Sequence, residues 1–363
     1  MRGELVCHGE KDREGLLSGA VETRPEKGRR APKVVATPAS HNAISLSTAG
    51  ENLMSHKHAP FLFPFLVASV ILSTPSKAQQ VADTLFNPSV GAPAFMKGAG
   101  PIVLIDEGHY NFHTMNGRYL PFARLLQRDG YVVKPNGGKF TRTDLHRAKI
   151  LVVSNALAKE NENDWNLPTP SAFDSAEIET VRKWVNDGGS LWLIADHMPF
   201  PGAAGLLAAE FGILMGNGFA LDSGTLDGRI CFNRSAGTLA EHPITEGRNP
   251  SERIDSVTSF TGQAFRLEGA GEGLMTLGHD IVLLMPEVAW QFSKLTPSMS
   301  ASRMMQGAVL RFGKGRVAVF GEAAMFSAQV AGPNRIPSGM NDPRAPQNGQ
   351  FLLNVVHWLS GLL

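Results

Sequence analysis

The alternation of short apolar runs with amphipathic segments between residues 102 and 211 is the feature that most constrains the fold of this chain. Four runs are typical of buried strands: residues 102–106, 131–134, 150–154 and 190–195. Three segments have the apolar spacing of helices: residues 119–129, 176–186 and 202–211. Strands that alternate with helices at this spacing favour βαβ units with right-handed crossovers. We therefore predict an α/β fold with a mostly parallel sheet.

Residues 221–300 interrupt this alternation, because they are rich in Gly, Ser, Thr and charged residues. We interpret this region as an inserted cap over the sheet. The core pattern resumes in a predicted hairpin over residues 308–320 and ends in a predicted helix over residues 351–359. The sequence thus predicts one α/β domain over residues 79–363, with an insertion at about 221–300.

The region ahead of this domain has the organisation of a secretory signal peptide. Within residues 54–78, Lys57 precedes an apolar run that is followed by the small residues Ser76 and Ala78. The run is shorter than the roughly 20 residues that cross a bilayer, so we expect a cleaved signal and no stable membrane anchor. The alternative is a buried core helix. Because a signal peptide must be N-terminal, we expect residues 1–53 to be a mis-assigned or disordered leader, and the protein to be periplasmic or secreted.

Composition and motifs argue against two classes of partner. The formal net charge is +1, and residues 79–363 contain no basic block, so nucleic acid is a poor candidate partner. No Walker-type or Gly-x-Gly-x-x-Gly loop follows a predicted strand, which leaves nucleotide cofactors unsupported. A small molecule or a carbohydrate is the expected substrate, and the oligomeric state is left open.

Polar residues follow four of the predicted strands. In parallel sheets the carboxyl ends of the strands meet at one edge, where ligands bind. The polar residues at these ends are Asp106, Glu107, His109 and His113 after the first strand, Ser154 and Asn155 after the third, Asp196 and His197 after the fourth, and Glu322 after a late strand. The sequence therefore predicts a site at this edge.

Carboxylate and imidazole groups in one site suit two chemistries. The first is a divalent metal, zinc or calcium, which activates a bound water and whose candidate ligands are Asp106, Glu107, His109 and His113. The second is metal-free acid–base catalysis, for which the candidate residues are His109, Asp196, His197 and Glu322. Structural alternatives remain for each: the carboxylates are also typical of helix caps and first-turn acids, and the histidines of loop residues.

Several motifs resemble those of a known superfamily. They are Asp106-Glu107-Gly108-His109, Asp187-Gly188-Gly189-Ser190-Leu191 after a helix, His242-Pro243-Ile244-Thr245, and Val319-Phe320-Gly321-Glu322. Over about residues 100–360 the chain resembles an exported branch, a domain of unknown function, of the class I glutamine amidotransferase-like superfamily. The resemblance implies a flavodoxin-like three-layer sandwich. The superfamily's catalytic Cys, within Gly-x-Cys-x-Gly, is absent from the matching residues 195–199, so glutaminase activity is not expected.

These observations lead to two functional hypotheses. The first is an exported hydrolase of an ester, lactone or amide bond, with or without a divalent metal. The second is a non-catalytic envelope module that binds a sugar, a peptide or a protein partner, with Trp165, Trp192 and Trp290 as candidate stacking surfaces.

Overall fold

A nine-stranded mixed sheet organises the computed structural model, which describes residues 80–363. These residues lie within one compact unit. The predicted leader at residues 1–53 and the predicted signal peptide at residues 54–78 fall outside the described residues. Among the described helices, none is long and apolar enough to cross a membrane.

The bounds of the elements are as follows. The strands are β1 (Gln80–Ala82), β2 (Ile102–Asp106), β3 (Val132–Asn136), β4 (Ile150–Ser154), β5 (Ser190–Ile194), β6 (Ile213–Met215), β7 (Phe219–Asp222), β8 (Ile230–Asn233), β9 (Ser256–Ser259), β10 (Phe265–Leu267), β11 (Glu272–Thr276), β12 (Ile281–Leu284), β13 (Ser298–Ser300), β14 (Met305–Phe312), β15 (Gly315–Phe320), β16 (Ala328–Ala331) and β17 (Ile336–Gly339). The helices are α1 (Leu120–Arg128), α2 (Arg142–His146), α3 (Ser175–Asn186), α4 (Phe200–Ala209), α5 (Pro243–Glu246) and α6 (Asn348–Ser360).

The main sheet has a parallel half and an antiparallel half. Its strand order is β3-β2-β4-β5-β15-β14-β10-β6, and β11 also pairs with β14. Strands β3, β2, β4, β5 and β15 run parallel to one another, whereas the remaining pairs are antiparallel. The predicted α/β class and the parallel strands are therefore confirmed.

Helices cover both faces of the parallel strands, which explains their continuous apolar sequences. Val103 and Ile105 of β2 pack in the cluster that contains residues of α1 and α6, whereas Leu104 packs in the cluster that contains residues of α3 and α4. Strands β4 and β5 alternate in the same way, and every residue of both is buried. The two layers of helices leave the strand ends as the edge where polar residues gather.

Two local features differ from the sequence prediction. Strand β3 extends to Asn136 through Pro135, because β3 is the edge strand of the sheet and proline is tolerated there. Helix α2 was not expected, since it is short and polar; the side chain of Thr141 caps it by accepting from the backbone N–H of Asp144.

The region expected to be an inserted cap is only partly separate from the sheet. Strands β10 and β11 pair with β14 and so belong to the main sheet, which corrects the expectation for this part of residues 221–300. Strands β7, β12 and β13 form a separate three-stranded sheet, and β8 pairs with β9. The late hairpin is confirmed, because β14 and β15 pair through a turn at Gly313.

Candidate functional site

The carboxyl ends of β4, β5 and β15 meet at one edge of the sheet. These strands are neighbours and run parallel. Beyond their paired residues, Asn155 N–H donates to the carbonyl of Ile194 at 2.9 Å, and Ala195 N–H donates to the carbonyl of Phe320 at 3.0 Å. Asn155, Asp196 and Glu322 therefore follow three adjacent strands, as the sequence predicted for a site at this edge.

Two acidic side chains, Asp196 and Glu322, are buried together here, and we call them the carboxyl pair. Asp196 is 8% exposed and Glu322 is 0% exposed. Glu322 accepts hydrogen bonds from the backbone N–H groups of Ala324 at 2.8 Å and Met325 at 2.7 Å, and Asp196 accepts from His197 N–H at 2.8 Å. Glu322 thus also caps the turn that follows it, which was its structural alternative.

Burial dominates the acid–base behaviour of the carboxyl pair. Burial, and then repulsion from Glu322, raises the pKa of Asp196 well above its usual range. Burial also raises the pKa of Glu322 to about 7, although backbone N–H donors oppose this shift. Two close carboxyl groups cannot both ionise easily, so the pair retains a proton near neutral pH.

Asn155 connects the carboxyl pair to His113. Its φ of 47° is in the left-handed region, which Asn tolerates better than most residues. Its Oδ1 accepts from Asp196 N–H at 2.9 Å, so its Nδ2 is the atom that faces His113 Nδ1, at 3.1 Å. An amide N–H donates, and His113 Nδ1 must accept. His113 therefore carries its proton on Nε2.

His113 is a neutral hydrogen-bond donor inside the protein. It is 2% exposed, and burial, followed by the charges of Arg118 and His197, lowers its pKa to about 3. Its Nε2 is buried and has no hydrogen-bond partner in the described part of the chain. A buried donor without a partner is uncommon in folded proteins and is a marker of a ligand or water site.

His197 presents the opposite tautomer. Its Nδ1 donates to the carbonyl of Met198 at 2.7 Å, so Nε2 carries the lone pair. Burial lowers the pKa of His197 to about 4, which keeps the ring neutral at pH 7. The ring stacks on Phe219 at 4.5 Å and meets the edge of Trp290 at 4.6 Å. The ring is held rigidly, and its unprotonated Nε2 can accept a hydrogen bond or a proton.

His109 lies in a different polar group, which we call the His109 cluster: Asp106, His109, Asn111 and Glu177. Nδ1 of His109 is 2.9 Å from both carboxylate oxygens of Asp106, and Nε2 is 2.9 Å from Glu177 Oε1. Burial lowers the pKa of His109, but the hydrogen bonds and charges of Asp106 and Glu177 outweigh it and raise the pKa overall. Both ring nitrogens are occupied, so His109 has neither a lone pair for a metal nor a free proton for a substrate.

The four residues predicted as metal ligands do not converge. Glu107 accepts from the backbone N–H of Met115 at 2.7 Å, while His113 and His109 are engaged as described above. Within residues 80–363, no three His, Cys, Asp or Glu side chains are placed to share a metal ion. The set of Asp106, Glu107, His109 and His113 therefore stays a prediction, and in this structure the ring of His109 is hydrogen-bonded to Asp106 and Glu177.

An open groove of about 410 Å³ lies at the same edge, and we call it the rim groove. Its lining includes Glu107, Tyr110, Asn111, Phe112, Arg118 and Leu157. Most of these residues come from the loop between β2 and α1, which also carries His113. The groove therefore adjoins the loop whose buried histidine is linked through Asn155 to the carboxyl pair.

Sequence reasoning did not single out several polar groups near the carboxyl pair. The hydroxyl of Tyr119 donates to the carbonyl of Ala323 at 3.2 Å. Gln306 Oε1 and Gln263 Nε2 are buried without hydrogen-bond partners among the described residues. The Gln residues lie on or beside strands of the antiparallel half, so only the sheet order places them here. Glu177 had a sequence signal, because Asp174 and Glu177 have capping-box spacing.

Comparisons with known proteins concern the fold. No protein-family model matches the sequence, and no curated protein matches it. Among solved structures, the mmIFT52 N-terminal domain superposes with a TM-score of 0.50 at 14% identity, covering 72% of this chain and 97% of that chain. A ThuA-like protein from Bacteroides uniformis has a TM-score of 0.42 at 12% identity, covering 75% of this chain and 94% of its own. Cytoplasmic protein STM3548 from Salmonella typhimurium has a TM-score of 0.42 at 13% identity, covering 71% and 98%. At 14% identity, the likeness to the mmIFT52 N-terminal domain concerns the fold alone.

Proposed function

We propose that this protein is an exported hydrolase of an ester, lactone or amide bond, with the carboxyl pair and His197 as its catalytic groups. The observation that supports this most directly is the burial of two neighbouring carboxyl groups, Asp196 and Glu322, which raises the pKa of both. Such a pair is a general acid at physiological pH. A flavodoxin-like arrangement and membership of a glutamine amidotransferase-like branch belong to the same proposal.

The proposed reaction has two proton transfers, one to His197 and one from the carboxyl pair. His197 Nε2 takes a proton from water as the oxygen attacks the carbonyl carbon, and the carboxyl pair donates a proton to the leaving oxygen or nitrogen. The substrate would reach the site where Asp196 and His197 contact solvent, because these two residues are 8% and 7% exposed.

This mechanism does not use a cysteine nucleophile. The turn after β5, where amidotransferases carry Cys, reads Ala195-Asp196-His197 in this chain. The acid at this turn and the imidazole beside it supply acid–base groups where the superfamily has a thiol. A divalent ion remains compatible with the proposal, and assays with and without a chelator would reveal its contribution.

The competing proposal is a non-catalytic binding module. Trp290 is 44% exposed and packs against His197, while Trp165 lies beside Phe112 and Phe200. Exposed aromatic rings of this kind are typical of surfaces that stack on sugars or apolar groups. Trp192, the third candidate, is fully buried in the core and offers no binding surface. A binding module would leave its ligand chemically unchanged.

A substitution series tests the catalytic proposal. The purified protein is assayed against p-nitrophenyl esters, chromogenic lactones and p-nitroanilides, with and without a chelator. We expect Glu322→Gln and Asp196→Asn each to lower kcat by about 100-fold or more, since general acid–base groups contribute 10²–10⁴-fold. The exposed Glu268→Gln is the control, with unchanged kcat. Wild-type turnover in both site variants would refute the assignment, and binding without turnover in any assay would favour the binding module.

A further inference from the structure

We infer that the rim groove binds an oxyanion group of the ligand, a carboxylate or a phosphate, through the Nε–Nη2 edge of Arg118. The inference deepens the proposed function, on which it rests for the identity of the ligand as substrate. The binding event itself does not depend on turnover, so the two proposals can fail separately.

The side chain of Arg118 is fixed but electrostatically uncompensated. Its guanidinium carbon lies 3.7 Å from the centre of the Phe112 ring, and Nη1 donates to the carbonyl of Phe112 at 3.4 Å. Nε is buried and has no hydrogen-bond partner among residues 80–363. No carboxylate in this part of the chain forms an ion pair with Arg118. A partly buried cation without a counter-charge is costly, and an anionic ligand would offset that cost.

The geometry of the free edge specifies the chemistry of the partner. Nη1 is held by the Phe112 carbonyl, which leaves Nε and Nη2 as a parallel pair of donors. Two parallel N–H groups match two oxygens of one carboxylate or phosphate. Stacking on Phe112 holds this plane in place, so little side-chain freedom would be lost when an anion binds.

A second unpaired donor lies on the same loop. His113 Nε2–H is buried without a partner. Phe112 contacts both residues, because its ring centre lies 3.7 Å from the Arg118 guanidinium carbon and 5.5 Å from the centre of the His113 ring. Both residues lie between β2 and α1, at the loop that lines the groove. Two unpaired donors in one loop require an acceptor, and a ligand oxygen fulfils that requirement.

The acidic residues of the groove do not occupy this edge. Glu107 accepts a hydrogen bond from the backbone N–H of Met115 at 2.7 Å. Glu162 lines the groove, is exposed, and forms no ion pair with Arg118. An oxyanion bound at Arg118 would lie on the His113 side of the groove. From there the Asn155 amide connects to Asp196, so the anionic end of the substrate and the proposed reacting bond lie at opposite ends of this chain of contacts.

Anion-dependent thermal stability tests the inference. The thermal midpoint of the full chain is measured against rising inorganic phosphate and, separately, acetate, with sodium chloride holding the ionic strength constant. We expect a saturable rise with at least one of the two anions; a response to acetate alone identifies a carboxylate site, and a response to phosphate alone a phosphate site. Arg118→Met should abolish the rise, whereas Arg142→Met, at an exposed position on α2, should retain it.

Two outcomes would overturn the inference: no saturable rise with either anion, or the same rise in Arg118→Met as in the wild type. Arg118→Lys covers the case in which the Met variant does not fold. It keeps the charge but loses the parallel donors, so the apparent affinity should fall about tenfold. An unchanged affinity in Arg118→Lys would exclude the two-donor geometry. Because stability is the readout, a catalytically inactive protein still gives a decisive answer.

Discussion

The His109 cluster and the carboxyl pair each bury one Asp and one Glu side chain, yet their electrostatics are opposite. In the His109 cluster an imidazole lies between two carboxylates, and its pKa is raised because both partners favour the charged ring. In the carboxyl pair, burial raises the pKa of both acids, and no cationic partner opposes this shift. The acidic side chains of the His109 cluster have an imidazole partner that offsets their charge. The carboxyl pair has no such partner, so its charge is reduced only when it holds a proton.

This difference separates a structural group from a candidate catalytic one. A compensated buried charge network holds the loop after β2 against α3, and the rings of Phe140 and Phe173 pack on His109 at 4.6 Å and 4.8 Å. A protonated acid pair can instead give its proton to a ligand and recover it from water. Residue type alone therefore does not identify the candidate catalytic site. The distinguishing property is whether the buried charges have partners of opposite charge.

We expect the largest effect on stability from replacing His109, the partner of two buried acidic side chains. His109→Gln leaves Asp106 and Glu177 buried without a cation, so the free energy of unfolding should fall by about 3–5 kcal/mol, measured by denaturant titration at pH 6. The folded fraction should keep the kcat of the wild type, because His109 is not assigned to the reaction.

The matched control is His146→Gln, at an exposed position on α2, which should change stability by less than about 0.5 kcal/mol. A stable His109→Gln variant with abolished turnover would reverse the comparison and make His109 the catalytic histidine.

The pH dependence of stability sharpens the contrast. The pKa of Glu322 is raised from 4.5 to about 7, so the folded state binds more protons than the unfolded state in that interval, and stability falls as the pH rises through it. The pKa of His109 is raised from 6.5, so its stabilisation is complete below 6.5 and is lost as the pH rises through the higher value. The two contributions have the same sign in different pH windows.

Substitution assigns each window to its residue. Glu322→Gln should lessen the loss of stability between pH 4.5 and about 7 by roughly 2–3 kcal/mol, and Asp196, whose pKa is also raised, should account for the loss that remains. His109→Gln should flatten the profile above pH 6.5. Unfolding titrations at half-unit pH steps measure both. A profile unchanged by Glu322→Gln would mean that Glu322 has the same pKa in the folded and the unfolded protein.

The smallest effect concerns the link through Asn155. Asn155→Asp places a carboxylate oxygen opposite His113 Nδ1, which should move a proton to that nitrogen and raise the pKa of His113, at a stability cost of about 1–2 kcal/mol. Nitrogen-15 NMR of the imidazoles should report an Nε2–H tautomer for His113 in the wild type and a change in the variant, with His197 unaffected. Unchanged His113 resonances would show that Asn155 does not set its tautomer.

Much of the parallel half of the sheet was predictable from sequence because each strand is covered on both faces. The runs at β2 and β4 were predicted with their observed bounds, since continuous apolar sequence is required where both sides are buried. The same logic placed Asn155, Asp196, His197 and Glu322 at one edge. The antiparallel half was harder to predict from sequence. Strand β10 has only three residues, and its partners β14 and β6 are distant from it in the chain.

The sequence by itself determined the strand alternation and hence the edge at which acids and imidazoles gather, because local apolar patterns encode burial. Only the tertiary structure decided what those groups do. Glu177 reaches His109 from 68 residues away, so that both ring nitrogens of His109 are hydrogen-bonded to acidic side chains. The adjacency of β5 and β15 brings Asp196 against Glu322, and desolvation there raises their pKa values. Charge compensation depends on neighbours in space, and no local pattern in the chain specifies those neighbours.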